Sequence, residues 1–298
     1  MINKKILIIG SQGFLGRNLN NYFSKLGYEV KTLSRLNGDL LDFESWKNLS
    51  VSEHFEAIYF CAERSGNQIF FEKNSSFDLI KHNQKLIINL DKFMQSLKNP
   101  TKLFTFGSLW TAFHKLKEIE EKNLFCHYHE ASVAGLKITK IILFELIKKL
   151  NKFTQHKASI ITTGTLYGPM DQSDHLIPSI LSKLSLYPKE LEMFGKGDSI
   201  RNYTYVEDLC FWLNEILKSN HICPDNIIVA SDKNYPVQYV IETLASRFEV
   251  QKLIWGDRVD NFKSRVPNTK QFSSLYNTEG YLFRGIDSFN KDELLKWI

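Results

Sequence analysis

The chain has 298 residues, of which 43% are hydrophobic and 24% charged, with a formal net charge of +5. That balance excludes a disordered chain and supplies enough apolar side chain for one large core and a smaller lobe. The 38 Lys and Arg residues are spread along the sequence instead of forming a stripe, so the excess positive charge suits a small anionic ligand and lends no support to a nucleic-acid partner.

The four cysteines, Cys61, Cys126, Cys210 and Cys223, form no C-x-x-C pair and have no metal-ligand spacing with the histidines. They read as reduced thiols, and no metal site is expected. At the N-terminus only ILII separates Lys5 from Gly10, too short an apolar run for a signal peptide, and no stretch approaches a membrane span. A cytoplasmic protein without a membrane partner is the expectation.

In chain order, short β-branched and aromatic runs alternate with longer helical stretches. KILIIG reads as a strand, followed by a helix to about Leu26, the strand YEVKTLS, a helix near Phe43 to Leu49, and the strand AIYFCA. A helix from about Asp78 to Leu97, the strand KLFTFGS, a long helix from about Val133 to Phe153 and the strand ASIITTG continue the pattern. Such alternation predicts an α/β fold, a doubly wound parallel sheet of about six strands. Beyond Pro169 the order loosens into a helix at HLIPSILSKL, a hairpin-like LEMFGKGDSIRNYTY and a helix at VEDLCFWLNEILK. The expected division is a nucleotide-binding domain over 1–167 and a smaller α/β substrate lobe over 168–298, from which a strand could return to the main sheet.

The sharpest local signal is GSQGFLG, which holds Gly10, Gln12, Gly13, Phe14, Leu15 and Gly16 between a buried strand and an amphipathic helix. Gly10 suits a tight turn, Gly13 a close approach of the backbone to a pyrophosphate, and Gly16 close helix packing. The helix N-terminus adds unpaired N–H groups for phosphate. A bound dinucleotide is the consequence. After the second strand, where an acidic residue would accept the ribose hydroxyls of NAD, the chain reads Ser34 and Arg35, which favours NADP(H) over NAD(H). Asp39 and Leu40 lie just beyond, either beside the adenine or, for Asp39, as the N-cap of the next helix.

Taken together these landmarks resemble the extended short-chain dehydrogenase/reductase family over about residues 3 to 245. The Rossmann fold, an NAD(P) coenzyme and a homodimer are what that resemblance implies. It places Cys61 and Ala62 of AIYFCAERSG along the coenzyme and matches Asn83 to a family asparagine. It gives the catalytic hydroxyl of KLFTFGSLWTAF to Ser108, matches TLYGP to N-x-Y-G-P, and gives Arg201 of FGKGDSIRNYTYVEDL a grip on a nucleotide-diphosphate sugar. The nearest subgroup is that of GDP-fucose synthase and the CDP-abequose and CDP-paratose synthases, reductases of 4-keto-6-deoxy sugar nucleotides. In that light His175 of DHLIPSIL is the epimerisation histidine, and Trp110 replaces a substrate-facing cysteine.

One departure is chemical. Where the family carries Tyr-x-x-x-Lys, this chain reads VAGLK, so Lys137 keeps its catalytic and ribose-binding place while Val133 replaces the proton donor. Using Lys140 instead puts Leu136 at the tyrosine position. Stand-ins for the missing acid are His127, Tyr128, His129 and His175. Two functions therefore stand: an NADP(H)-dependent reductase or epimerase of a nucleotide-activated sugar, or a catalytically silent relative that keeps the pocket.

Overall fold

The computed structural model describes residues 4–298 except 48, 50–52, 67, 113–115, 117, 126–132, 222 and 259–263. The first half runs β1 (Lys5–Ile9), α1 (Phe14–Lys25), β2 (Glu29–Leu33), α2 (Glu44–Lys47), β3 (Ala57–Phe60), α3 (Gln68–Lys73), α4 (Ser76–Ser96), β4 (Lys102–Ser108), α5 (Ala134–Phe153) and β5 (Lys157–Thr163). The second half runs β6 (Thr165–Tyr167), α6 (Leu176–Leu184), β7 (Glu190–Gly195), β8 (Ile200–Tyr205), α7 (Val206–Lys218), β9 (Asn226–Ile228), β10 (Asn234–Pro236), α8 (Val237–Arg247), β11 (Lys252–Arg258), β12 (Ser264–Arg265), α9 (Lys270–Tyr276) and α10 (Lys291–Leu295).

The main sheet is parallel throughout, in the order β2-β1-β3-β4-β5-β9. Side chains alternate across a strand, so an unbroken apolar run buries one set on each face. Strand β1 does this with Ile6 and Ile8, which pack with Leu19 and Phe23 of α1 and Leu209 and Leu213 of α7. Leu7 and Ile9 take the opposite face with Leu86 and Leu90 of α4 and Leu143 and Ile147 of α5. The sheet is therefore doubly wound, as the alternation of elements implies. Its sixth strand, β9, comes from beyond residue 167, and α7 also lies on the main sheet rather than in the second lobe.

The second lobe is built on β8, which pairs with β10, β12 and β6, and on the parallel ribbon of β7 with β11. The hairpin expected at LEMFGKGDSIRNYTY does not form. Arg201 already pairs with Tyr235 on one side and Arg265 on the other, so both edges of β8 are taken and β7 turns to β11 instead. An aromatic cluster of Tyr167, Tyr203, Tyr205, Phe289 and Trp297 fills this lobe.

Among the described residues no helix is long and apolar enough to cross a membrane. The C-terminal segment is stitched into both cores, with Phe272 and Phe283 against the main sheet and Phe289 and Trp297 in the second lobe. An ionic clamp anchors it. Asp208 on α7, only 1% exposed, accepts from the Arg284 backbone N–H at 2.7 Å, from Arg284 Nε at 2.8 Å and from the Tyr281 hydroxyl at 3.1 Å. The Arg284 guanidinium also lies 4.1 Å over the Tyr205 ring. Losing one partner of such a pair strands the other, but the Arg284 side chain keeps 40% exposure, which softens the penalty. Asp208→Ala should therefore lower stability by about 2 to 3 kcal/mol, measured by urea denaturation.

Candidate functional site

The crevice at the carboxyl ends of the strands begins at the turn after β1. Gly10 sits at φ +87°, and a Cβ there would come within 2.6 Å of Ala62 N. A Cβ on Gly16 would collide with Gly10 O and lie 2.8 Å from Ser11 Cα, so α1 can pack this closely only on glycine. Gly13 differs, because a Cβ there would meet nothing nearer than Gly10 O at 3.5 Å and would instead fill open space. No side chain caps α1 and no acidic residue stands in its first turn, which leaves its leading N–H groups and dipole available to an anion. Open space and free amides together fit a diphosphate.

The turn after β2 carries the residues expected at an adenosine. Ser34 is buried and engages Asn37 Oδ1 through both its N–H and its hydroxyl at 3.2 Å, while Arg35 is exposed. Asp39 accepts from Leu41 N at 2.9 Å, and Asp42 rather than Asp39 accepts from Glu44 N at the start of α2. Leu40 is held by its carbonyl, which accepts from Trp46 Nε1 and from Asn89 Nδ2, each at 3.0 Å. Across the crevice, Asn83 clamps Arg64 by accepting from its N–H at 2.8 Å and donating to its carbonyl at 3.0 Å. Burial pushes the His82 imidazole down, and the charges of Arg64 and Arg35 push the same way against the opposing Asp39.

On the other side of the glycine turn lies a small cleft, walled in part by Leu15, Cys61, Ala62 and Asn83. All four are among the residues expected along a coenzyme. The polar residues that the sequence reading did not assign there are Glu63 and Lys140, with Thr139 beside them. Lys140 is 4% exposed, and its ammonium donates to Glu63 Oε2 at 2.7 Å and to the Phe106 carbonyl at 2.6 Å. Burial pushes the Cys61 thiol up, which keeps it protonated. Lys137 is also buried but does not line the cleft. Counting back four residues from the lysine that does line it reaches Leu136. Both Leu136 and Val133 sit in an apolar cluster with Phe71, Leu79, Phe70 and Trp110, and neither offers a proton.

Ser108 ends β4, where its hydroxyl accepts from Trp110 N at 3.2 Å. Trp110 lies flat under a guanidinium, with Arg265 Cζ 3.7 Å from its ring centroid. Arg265 and Arg201 are register partners on β12 and β8, and both are buried, at 4% and 7% exposure. Arg201 Nη1 donates to the Ile200 carbonyl at 2.9 Å. Arg265 falls in the tail beyond the stretch that the sequence resemblance covers, so only the pairing of β12 with β8 brings it to Arg201. His175 heads α6 as its N-cap residue, with its backbone N–H 3.3 Å from Ser173 Oγ. Among the described residues no hydrogen bond joins its ring to Ser108 or Lys140. His127, Tyr128 and His129 lie outside the described residues.

The two halves are tied at the Tyr-Gly-Pro turn. Asn18 Nδ2 donates to the Pro169 carbonyl at 3.0 Å, and Arg17 reaches the Met170 carbonyl at 2.7 Å and Gln172 Oε1 at 3.1 Å.

Known proteins share this fold. A curated relative, GDP-L-colitose synthase of Yersinia pseudotuberculosis, is 25% identical over 262 residues, 81% of each chain. The crystal structure of a GDP-6-OMe-4-keto-L-xylo-heptose reductase from Campylobacter jejuni superposes with a TM-score of 0.83 at 18% identity, covering 100% of this chain and 97% of that one. A GDP-mannoheptose C4 reductase from Campylobacter jejuni with NADP bound gives 0.81 at 18% identity, covering 100% and 97%. Residues 6–230 match the profile of a single family, and the span takes in the glycine turn, Ser108, α5 and Arg201. By that match the chain belongs to the NAD dependent epimerase/dehydratase family.

Proposed function

We propose that this chain is an NADP(H)-dependent reductase of a nucleotide-activated 4-keto-6-deoxy sugar, of the kind used in building surface polysaccharides. The observation that carries the reading is the glycine turn, where bare amides and open space stand at the N-terminus of α1. Two buried arginines on paired strands support it, one of them stacked on Trp110 two residues beyond Ser108. The relatives that act on GDP-sugars, and the NADP in one structural neighbour, support the same chemistry.

The dihydronicotinamide supplies the hydride. Residues of the chain do the rest. Arg201 and Arg265 grip the two phosphates, and planar guanidinium groups suit that task because each offers paired N–H donors to phosphate oxygens. Ser108 donates to the ring carbonyl and polarises it. His175 is the proton donor proposed in place of the missing tyrosine, with His127, Tyr128 and His129 as the other candidates. The homodimer implied by the resemblance remains part of this reading, as does the division into coenzyme and substrate lobes.

The apolar cluster around Val133 and Leu136 favours a second reading, a catalytically silent relative that binds the same ligands as a partner subunit or sensor. Loss of a general acid costs about 10²- to 10⁴-fold in rate, so the two readings differ by a measurable amount. NADPH and NADH consumption with a panel of 4-keto-6-deoxy sugar nucleotides separates them. Turnover by the native chain supports the reductase, and coenzyme binding without turnover supports the silent relative.

If the native chain is the silent relative, Leu136→Tyr should restore turnover by about 10²-fold or more while Val133→Tyr should not, because Lys140 is the lysine in the cleft. Arg265→Gln should weaken binding of a nucleoside diphosphate sugar about 10- to 100-fold by calorimetry, leaving coenzyme affinity unchanged. At the adenosine end, a dianionic phosphate beside His82 favours the imidazolium and raises a pKa that burial had lowered. Binding then takes up a proton, so NADPH affinity should tighten as pH falls from about 8 to 6 while NADH affinity stays flat, read by fluorescence titration.

A further inference from the structure

Glu63 and Lys140 form a partly buried ion pair, and no step above uses Glu63. Their 2.7 Å contact sits in the wall of the cleft, with side-chain exposures of 22% and 5%. Taking an ammonium out of water is expensive, and around Ile87 and Leu143 an apolar side chain would pack without that cost. The pair is held on both sides. The Phe106 carbonyl fixes Lys140 from β4, and the Asn83 clamp on Arg64 fixes the chain immediately after Glu63.

Its place in the sheet gives the pair a partner. A dinucleotide laid across the carboxyl ends of the strands puts its phosphates at the turn after β1 and its adenosine toward β2. Its nicotinamide then lies toward β3 and β4, the two strands whose ends carry Glu63 and the carbonyl holding Lys140. The ring is neutral when reduced and positively charged when oxidised. A charge fixed in the wall therefore acts on one oxidation state and not on the other, and more strongly than it would in water.

We propose that Glu63 is the counter-ion that sets the redox preference of the site: by neutralising Lys140 it lets the oxidised coenzyme bind where a lone ammonium would repel it. Glu63 acts here as a positioning residue, through Lys140. The inference rests on the reading that a nicotinamide dinucleotide occupies the cleft.

The test needs no sugar substrate. Dissociation constants for NADP⁺ and NADPH, and for NAD⁺ and NADH, are measured by calorimetry and fluorescence on the full chain and on Glu63→Gln, Lys140→Met and the double variant, each first checked for native thermal unfolding. Using both coenzyme pairs removes the 2′-phosphate from the comparison. In Glu63→Gln the ratio of oxidised to reduced dissociation constants should rise roughly threefold to thirtyfold, and the double variant should return to within about twofold of the native ratio. Lys140→Met should move the ratio the opposite way. A Glu63→Gln ratio within about twofold of native, or a double variant that stays displaced, overturns the proposal and leaves the reductase reading intact. If neither coenzyme binds the native chain, the functional reading itself falls, and this inference with it.

Discussion

Two stretches of backbone, the turn after β1 and the first turn of α1, approach so closely that Gly16 has no room for a side chain beside Gly10 O and Ser11. That contact orients α1, and with it the bare amides at its N-terminus point into the crevice. The same turn is pressed from the other side by Ala62, so β1, α1 and the tail of β3 form one rigid corner. From this corner the coupling continues outward. Arg17 and Asn18, the next residues along α1, hold the Pro169–Gln172 turn, which leads to α6 and His175. The geometry of the second lobe is thus tied to the glycine turn rather than to a flexible linker.

Charge in the site is concentrated where it is least solvated. Arg201 and Arg265 lie opposite one another on paired strands, and one of them is stacked on Trp110. The sequence reading places Trp110 against the substrate where relatives have a cysteine, and in the fold the indole is the platform on which Arg265 rests. Lys140 is buried against a partly buried Glu63, whereas the face of α5 expected to carry the proton donor is apolar and packed against Phe71 and Leu79. Buried cations thus stand beside a helix face that offers no titratable group among Val133, Leu136, Phe71 and Leu79.

The C-terminal tail shows why local pattern loses force there. Its strands are short, β12 spanning only Ser264–Arg265, and its helices α9 and α10 span seven and five residues. Such pieces carry too few positions for a period to emerge, and their place is set by contacts distant in sequence. Asp208 and Arg284 are 76 residues apart, and their ion pair binds the tail to α7. Phe272 and Phe283 complete the main core from a segment that, taken alone, resembles nothing regular.

By itself, the sequence determined whatever depends on near neighbours. The glycine spacing specifies the turn and the helix start, the alternation of apolar runs with long helices specifies the doubly wound sheet, and the order of motifs specifies the family. Only the tertiary structure decided which of two lysines meets the cleft. Lys137 and Lys140 are about 60° apart around α5, too little for sequence to separate, and the docking of that helix on β4 selects Lys140. Likewise β8 uses both edges for distant partners, which removes the expected hairpin and brings Arg265 to Arg201. Strand pairing across tens of residues depends on where edges remain free once the rest of the chain has packed, and no short stretch of sequence carries that information.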